Sequence, residues 1–270
     1  LSLHDALPIS SSISTRNKKD YFIIAYPDLA DELVSDEEKA KLKEQNNYDS
    51  ALLNLQIERI TDEMLEEYMD ENTCTNFARL IGVMSAPPAF SHASRGESFY
   101  TFALDVARLS GTTDTINIVA RSELLSAVEA CDTEKLCITG ELRSFNNKSG
   151  EGAKLVITVF AKEILPCDEN DLNLICLTGT LCKPPNLRVT PMGRDICDLM
   201  LAVNRKYGRS DYLPCITWGL KAREASYWDT GTTVSLEGRI QSRRYIKLIG
   251  GEPIEKTAFE VSVTEIEELT

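Results

Sequence analysis

A chain of 270 residues, 43% hydrophobic and 26% charged, has the composition of a folded protein of about two domains, which argues against wholesale disorder. Its longest apolar runs, 21–26 and 155–161, are too short to cross a bilayer, so no membrane partner is expected. The net charge of −13 argues against nucleic acid until it is divided along the chain. Residues 1–75 carry 7 Lys+Arg against 17 Asp+Glu, 76–171 carry 9 against 13, and 172–270 carry 13 against 12. The acidity is concentrated at the N-terminus, and the last third is close to neutral.

In chain order, residues 1–10 read as an adapter-derived scar, since Ser2-Leu-His-Asp-Ala-Leu-Pro-Ile9 looks like a translated sequencing adapter. Residues 11–71 read as an acidic, partly helical segment. Leu52, Leu55, Met64, Leu65 and Tyr68 fall at roughly helical spacing over 51–68. Such a helix packs on the following domain, or its charge competes with a polyanion for a basic face. The 8 cysteines form no CxxC pair, and His4 and His92 have no second ligand nearby. No metal and no cofactor are therefore expected. The cysteines read as reduced, mostly buried residues of a cytoplasmic protein.

From residue 76 onward the chain repeats itself. Asn76-Phe-Ala-Arg-Leu-Ile-Gly82 and Pro87-Pro88 match Asn173-Leu-Ile-Cys-Leu-Thr-Gly179 and Pro184-Pro185 at an offset of 97. The register persists through Gly111 against Gly208 and Asp114 against Asp211, then drifts to 98 at Gly140 against Gly238. Two copies of one domain are expected, 72–167 and 172–270, joined by an acidic connector around 166–171.

The second copy gives the clearer elements. Leu174–Leu181, Asp195–Arg205 and Tyr212–Trp218 read as strands, Asn186–Gly193 as a loop, and Leu220–Tyr227 as a short helix. Thr233–Ser242 alternates, with Val234, Leu236 and Ile240 on one face, and 256–266 alternates likewise. Gly238 inside that strand predicts a bulge or a tight bend at a barrel corner. Five strands with a helix between the third and fourth make a mainly β fold class: two tandem five-stranded oligonucleotide/oligosaccharide-binding (OB) barrels behind the acidic segment. Trp228, after the helix, reads as core.

At this point the second copy resembles the bacterial single-stranded DNA-binding protein family, and more distantly a primosomal OB protein. The resemblance rests on Asn173-Leu-Ile-Cys-Leu-Thr-Gly-Thr-Leu, Pro185-Asn-Leu-Arg-Val-Thr-Pro-Met-Gly193, Ala202-Val-Asn-Arg-Lys-Tyr207, Asp211-Tyr-Leu-Pro-Cys-Ile-Thr-Trp-Gly219 and Leu236-Glu-Gly-Arg-Ile-Gln-Ser-Arg-Arg-Tyr245. It implies contact with single-stranded DNA through Tyr207, Tyr212, Trp218 and Tyr245. Parity supports this independently: Tyr212 and Trp218 share one strand face, and Arg239, Arg243, Tyr245 and Lys247 share the face opposite Val234 and Leu236. Aromatics interleaved with arginines suit base stacking beside phosphate neutralisation. Arg188 and Arg205 read as backbone contacts.

The first copy carries Ser110, Thr115 and Arg121 where the second has Tyr207, Tyr212 and Trp218. It is expected to serve assembly, the alternative being a weak DNA contact through Arg121, Arg143, Phe145 and Lys148. No nucleophile, metal-ligand or phosphate-loop constellation appears, so binding is expected and catalysis is not. The expected function is binding of single-stranded DNA without sequence preference in replication, recombination or repair. RNA binding and an adaptor role are the rivals. The resemblance further implies a homodimer of four OB folds, recruitment of replication or repair proteins, and a place on the nucleoid.

Overall fold

In the computed structural model, residues 15–44, 48–68, 75–129, 135–147, 155–205, 208–249 and 252–269 are described. Residues 1–10 and Cys74, Cys131, Lys148 and Tyr207 lie outside them. Among the described residues no helix is long and apolar enough to cross a membrane.

The acidic segment forms five short helices, α1 (Thr15–Ala25), α2 (Pro27–Glu32), α3 (Asp36–Leu42), α4 (Tyr48–Arg59) and α5 (Asp62–Tyr68). The single helix expected over 51–68 is broken at Ile60–Thr61, because Ile60 turns inward with Phe22, Ile57 and Leu65 to close a small core of its own. Ser35 starts α3 with a capping box: its hydroxyl accepts the Glu38 N–H, and the Glu38 carboxylate accepts the Ser35 N–H. Arg59 of α4 then grips the same carboxylate and the Leu33 carbonyl, which ties the helices together.

The first repeat runs β1 (Asn76–Met84), β2 (Ala89–Ser94), β3 (Glu97–Ala107), β4 (Thr113–Arg121), α6 (Ser122–Glu129), β5 (Lys135–Asn146) and β6 (Leu155–Pro166). The second runs β7 (Leu172–Leu181), β8 (Asn186–Val189), β9 (Asp195–Asn204), β10 (Ser210–Trp218), α7 (Leu220–Ala225), β11 (Thr233–Ile249) and β12 (Glu252–Leu269). Each repeat thus has one strand beyond the five expected. Its Asn-Leu-Arg-Val stretch, read as loop, pairs with β9 as a short edge strand. Helix α7 is also shorter than expected, ending at Ala225. In each repeat the first strand pairs with the third long one's neighbour and the last strand closes parallel to the fourth, as in β4 with β6 and β10 with β12.

The two barrels are one sheet. β1 and β7 pair antiparallel, and Ala78 stands opposite Ile175, its own counterpart 97 residues on. A local two-fold axis therefore passes through that pair. Ala78, Leu80, Ile175 and Leu177 feed a continuous core shared by both barrels. The alternate residues point the other way, where Tyr21 of α1 meets Phe77 edge to face at 6.1 Å beside Cys176 and Leu174. Arg79, also on that side, is buried against Asp20 of α1 at 2.8 Å and reaches Glu169 of the connector at 3.5 Å. Cys137 and Cys167 lie under the same connector with Ile81 and Leu172. Their mutual hydrogen bond brings Cys167 down to about 7 and, with burial, pushes Cys137 up. Among the described cysteines, all but Cys182 are buried.

Gly238 marks a bulge, one of the two expected forms, and so does its repeat counterpart Gly140. Register shifts occur at Thr139/Gly140 and Glu237/Gly238, and a Cβ on Gly238 would lie 2.5 Å from the Ser262 carbonyl oxygen. Past each bulge the strand leaves its ladder partner, and an asparagine takes over. Asn76 bridges the Leu142 carbonyl (2.8 Å) and N–H (2.7 Å), and Asn173 bridges the Ile240 carbonyl (2.8 Å) and N–H (3.0 Å). Asn76→Ala leaves two buried backbone groups unpaired, each costing about 1–3 kcal/mol. The variant is expected to lose at least about 2 kcal/mol of unfolding free energy in urea. A loss below about 0.5 kcal/mol would show that water replaces the amide without cost.

Candidate nucleic-acid interface

The site is built on β10, whose alternation buries Leu213 and Cys215 and turns Tyr212 and Trp218 outward, 52% and 39% exposed. Six residues of strand separate the two rings by about 20 Å. Trp218 ends the strand. Its Nε1 donates to Ser262 Oγ at 3.3 Å, and it borders a shallow depression with Gly193, Arg194, Asp195 and Gly219. Gly219 follows at φ 62°, a left-handed turn that lets the chain leave β10 directly into α7. Trp228 is half-buried against the core, as expected.

Cross-strand register decides what stands beside Trp218. Trp218 lies opposite Ile196, and Ile196 opposite Arg188. Arg188 is thus two strand spacings from the ring, in the same row, held bidentate by Asp198 at 2.5 and 2.9 Å. That pair raises the arginine further, and it is exposed enough to be exchanged for another anion. Leu187, Val189 and Met192, on β8 and the turn after it, are exposed at 45%, 62% and 86%. Sequence reading passed over them because it took this stretch for a loop; the alternation of Asn-Leu-Arg-Val was the available signal.

The expected single surface of aromatics and arginines is not what forms. Arg239, expected beside the aromatics, turns to the first barrel, where it reaches Asp114 at 3.1 Å while bonding Gln241 at 3.0 Å. Burial lowers its pKa. Arg205 grips Asp211 at 2.5 Å and the Ser144 carbonyl of the first barrel at 3.3 Å. The physical reason is the same for both: Asp114 and Asp211 are at most 2% exposed, and a buried carboxylate must be paired. Repeat equivalents, they form a reciprocal clamp across the two-fold axis. Asp211 takes Arg205 from its own barrel and Arg143 (3.2 Å) from the other; Asp114 takes Arg108 from its own and Arg239 from the other. Tyr212 N–H also donates to Ser144 Oγ at 2.8 Å, so the first aromatic platform abuts the partner barrel's hairpin.

The hairpin residues Arg243, Tyr245 and Lys247 lie on β11, opposite Ala258, Lys256 and Ile254 of β12. Their side chains are outside the described residues, as is Tyr207 altogether. The hairpin is longer than expected, β11 reaching Ile249.

Residues 172–269 match the single-strand binding protein family. That match spans the second barrel. Curated relatives include single-stranded DNA-binding protein A of Bacillus subtilis, 36% identical over 81 residues, which are 27% of this chain and 47% of the relative. The single-stranded DNA-binding protein of Clostridium tetani is 35% identical over 81 residues, 27% of this chain and 56% of the relative. The chain spans about half the length of the curated relatives it matches. Among solved structures, wild-type single-stranded DNA binding protein from Thermus aquaticus superposes with a TM-score of 0.58 at 22% identity, over 72% of this chain and 93% of the other. That likeness shows the OB fold. It extends over more of the chain than the 172–269 family match.

In this family setting the clamp makes a distinction between cations. Arg239→Ala is expected to lower stability by about 1–3 kcal/mol, because Asp114 loses a partner while buried. The salt slope of single-strand binding should stay unchanged, whereas loss of a phosphate contact would reduce it by about 0.7. Chemical denaturation and a salt titration of the same variant check both halves.

Proposed function

We propose that this chain binds single-stranded DNA without base-sequence preference, serving replication, recombination or repair. The observation that carries the reading is Trp218: an indole 39% exposed on β10 of a family barrel, its N–H tied to Ser262 so that the ring is oriented. An aromatic face held on a strand stacks any base, and stacking reads no sequence. Tyr212 offers the second platform and Arg188 a cation beside Trp218. In this reading Arg243, Tyr245 and Lys247 extend the path along β11, and Tyr207 falls in sequence between β9 and β10. Arg205 and Arg239 support the path by locking the barrels together. The work is binding and not catalysis. Among the described residues no group of three His, Cys, Asp or Glu could hold a metal ion.

A homodimer would bring four barrels together. The outer face of β1 and β7 is already taken by α1, so a second chain would have to dock elsewhere, and sedimentation of the full chain reads the answer against the 30.1 kDa monomer.

Titration with an oligothymidine should quench tryptophan fluorescence. Trp218→Phe should abolish most of that quenching and keep most of the affinity, since phenylalanine still offers a stacking face. Trp218→Ala should weaken binding by roughly fivefold or more, to a similar degree for thymine, cytosine and adenine oligomers. Quenching that survives Trp218→Phe and disappears in Trp228→Phe would place the DNA path elsewhere.

A further inference from the structure

The first barrel lacks an aromatic at the Trp218 position, yet it carries three other rings, His92 exposed, Phe160 half-buried and Phe99 buried. Register sets them in a row across four strands. His92 on β2 is opposite Phe99 on β3, Phe99 is opposite Arg121 on β4, and Phe160 on β6 is opposite Val119, two residues before Arg121. The His92 ring stacks on Phe99 at 4.8 Å and 11°. Phe99 and Phe160 are 6.1 Å apart. Two cations stand against Phe160, the Arg121 guanidinium at 6.0 Å and Lys162 Nζ at 5.5 Å from the ring centroid. Neither Phe99 nor Phe160 belongs to the core that both barrels share.

The same row in the second barrel reads Arg188, Ile196, Trp218, Ser262. The repeat aligns Arg121 with Trp218 and, across the matched bulge pairs Gly140–Ala161 and Gly238–Val263, Phe160 with Ser262. In the second barrel the ring is on the third long strand and its polar partner on the last strand. In the first barrel the two have changed places: the cation is on β4 and the ring on β6. A substitution table centred on the Trp218 position sees only a lost aromatic. The row as a whole keeps a ring beside a polar group.

We propose that the His92–Phe99–Arg121–Phe160 row is a second single-strand contact surface, on which bases stack against His92 and Phe160 while Arg121 and Lys162 meet phosphates. This rests on the reading of the chain as a single-stranded DNA binder. Both cations are engaged with carboxylates, Arg121 with Glu97 at 3.2 Å and Lys162 with Glu141 at 3.6 Å. Arg121 and Glu97 are each nearly half exposed, and ion pairs so placed contribute little and can be exchanged for phosphate. With those carboxylates close by, this surface is the weaker of the two, filled after the second barrel.

The test uses the full chain and two oligothymidines. One is of about 8 nucleotides, enough for one barrel, and one of about 30, enough for both at ~4–16 nucleotides per OB fold. Phe160→Leu keeps apolar volume and removes the stacking face; Phe160→Tyr keeps the face. Phe160→Leu is expected to weaken binding of the long oligomer roughly fivefold or more, to leave the short one unchanged, and to preserve Trp218 quenching. Phe160→Tyr should bind as the parent does. A Phe160→Leu protein that melts like the parent and binds the long oligomer with unchanged affinity overturns the second surface. Equal loss in Phe160→Leu and Phe160→Tyr also overturns it, because that would mark Phe160 as packing alone. Absence of binding and of Trp218 quenching in the parent protein would instead sink the functional reading itself.

Discussion

The pairing of β1 with β7 is the constraint on which the rest of the molecule depends. Two barrels each present a first strand with one face committed to a core, and joining them edge to edge completes both ladders at once. The joint strands then carry an apolar outer face, of Phe77, Ile81, Leu172, Leu174 and Cys176. Left in water, such a face would be an invitation to another sheet. Here Tyr21, Asp20 and the connector's Cys167 and Glu169 cover it. The buried charge that comes with Arg79 is matched by Asp20 from α1, so helical segment and sheet are specific to one another.

From that axis follows the fate of the arginines. A two-fold relation brings each barrel's third long strand against the other's hairpin, and the residues at this crossing are Asp114 and Asp211. Removing a carboxylate from water costs several kcal/mol unless it is paired with good geometry. Each aspartate accordingly draws an arginine from its own barrel and one from its partner. The cross-barrel arginines come from non-equivalent positions: Arg143 aligns with Gln241 and Arg239 with Glu141 at the offset of 98. Arg143 bonds Glu141 as Arg239 bonds Gln241. The repeat therefore conserves the clamp's geometry while its charges alternate. This solution, which gene duplication permits, is closed to a strictly symmetric pair of identical chains.

Much of the fold was legible because period two survives wherever one strand face meets water. Val234, Leu236 and Ile240 are buried as their spacing said, and the glycine inside that strand, Gly238, marks a bulge. Alternation failed to describe β1, where seven successive residues are buried, since its second cover comes from a helix far away in sequence. It also failed at β8, whose four residues are all exposed on an edge. In the site, parity placed Tyr212 and Trp218 correctly on an outward face. Parity cannot say what an outward face meets. For Arg239 it meets the other barrel, and for the half-buried Phe160 it meets two cations. Reading aromatics position by position also misses rings that have moved one strand across within the same row.

The N-terminal acidity can be weighed by distance. Its charge faces a single-strand path only if it lies within a Debye length, about 8 Å at physiological salt. Helix α1 docks on β1 and β7, and α4 approaches the end of β6, where Ser50 bonds the Pro166 carbonyl at 3.1 Å. By the shorter way round the barrel β10 is two strands from β7, since β9 pairs with both. At about 4.8 Å per strand that is roughly 10 Å, just past the screening length. Repulsion between these helices and DNA on β10 is thus a low-salt effect. What the helices supply at every salt concentration is the cover over Phe77 and the counter-charge for Arg79. Their acidity is compatible with the proposed DNA binding because α1 and α4 dock on β1, β7 and the end of β6 and not on β10.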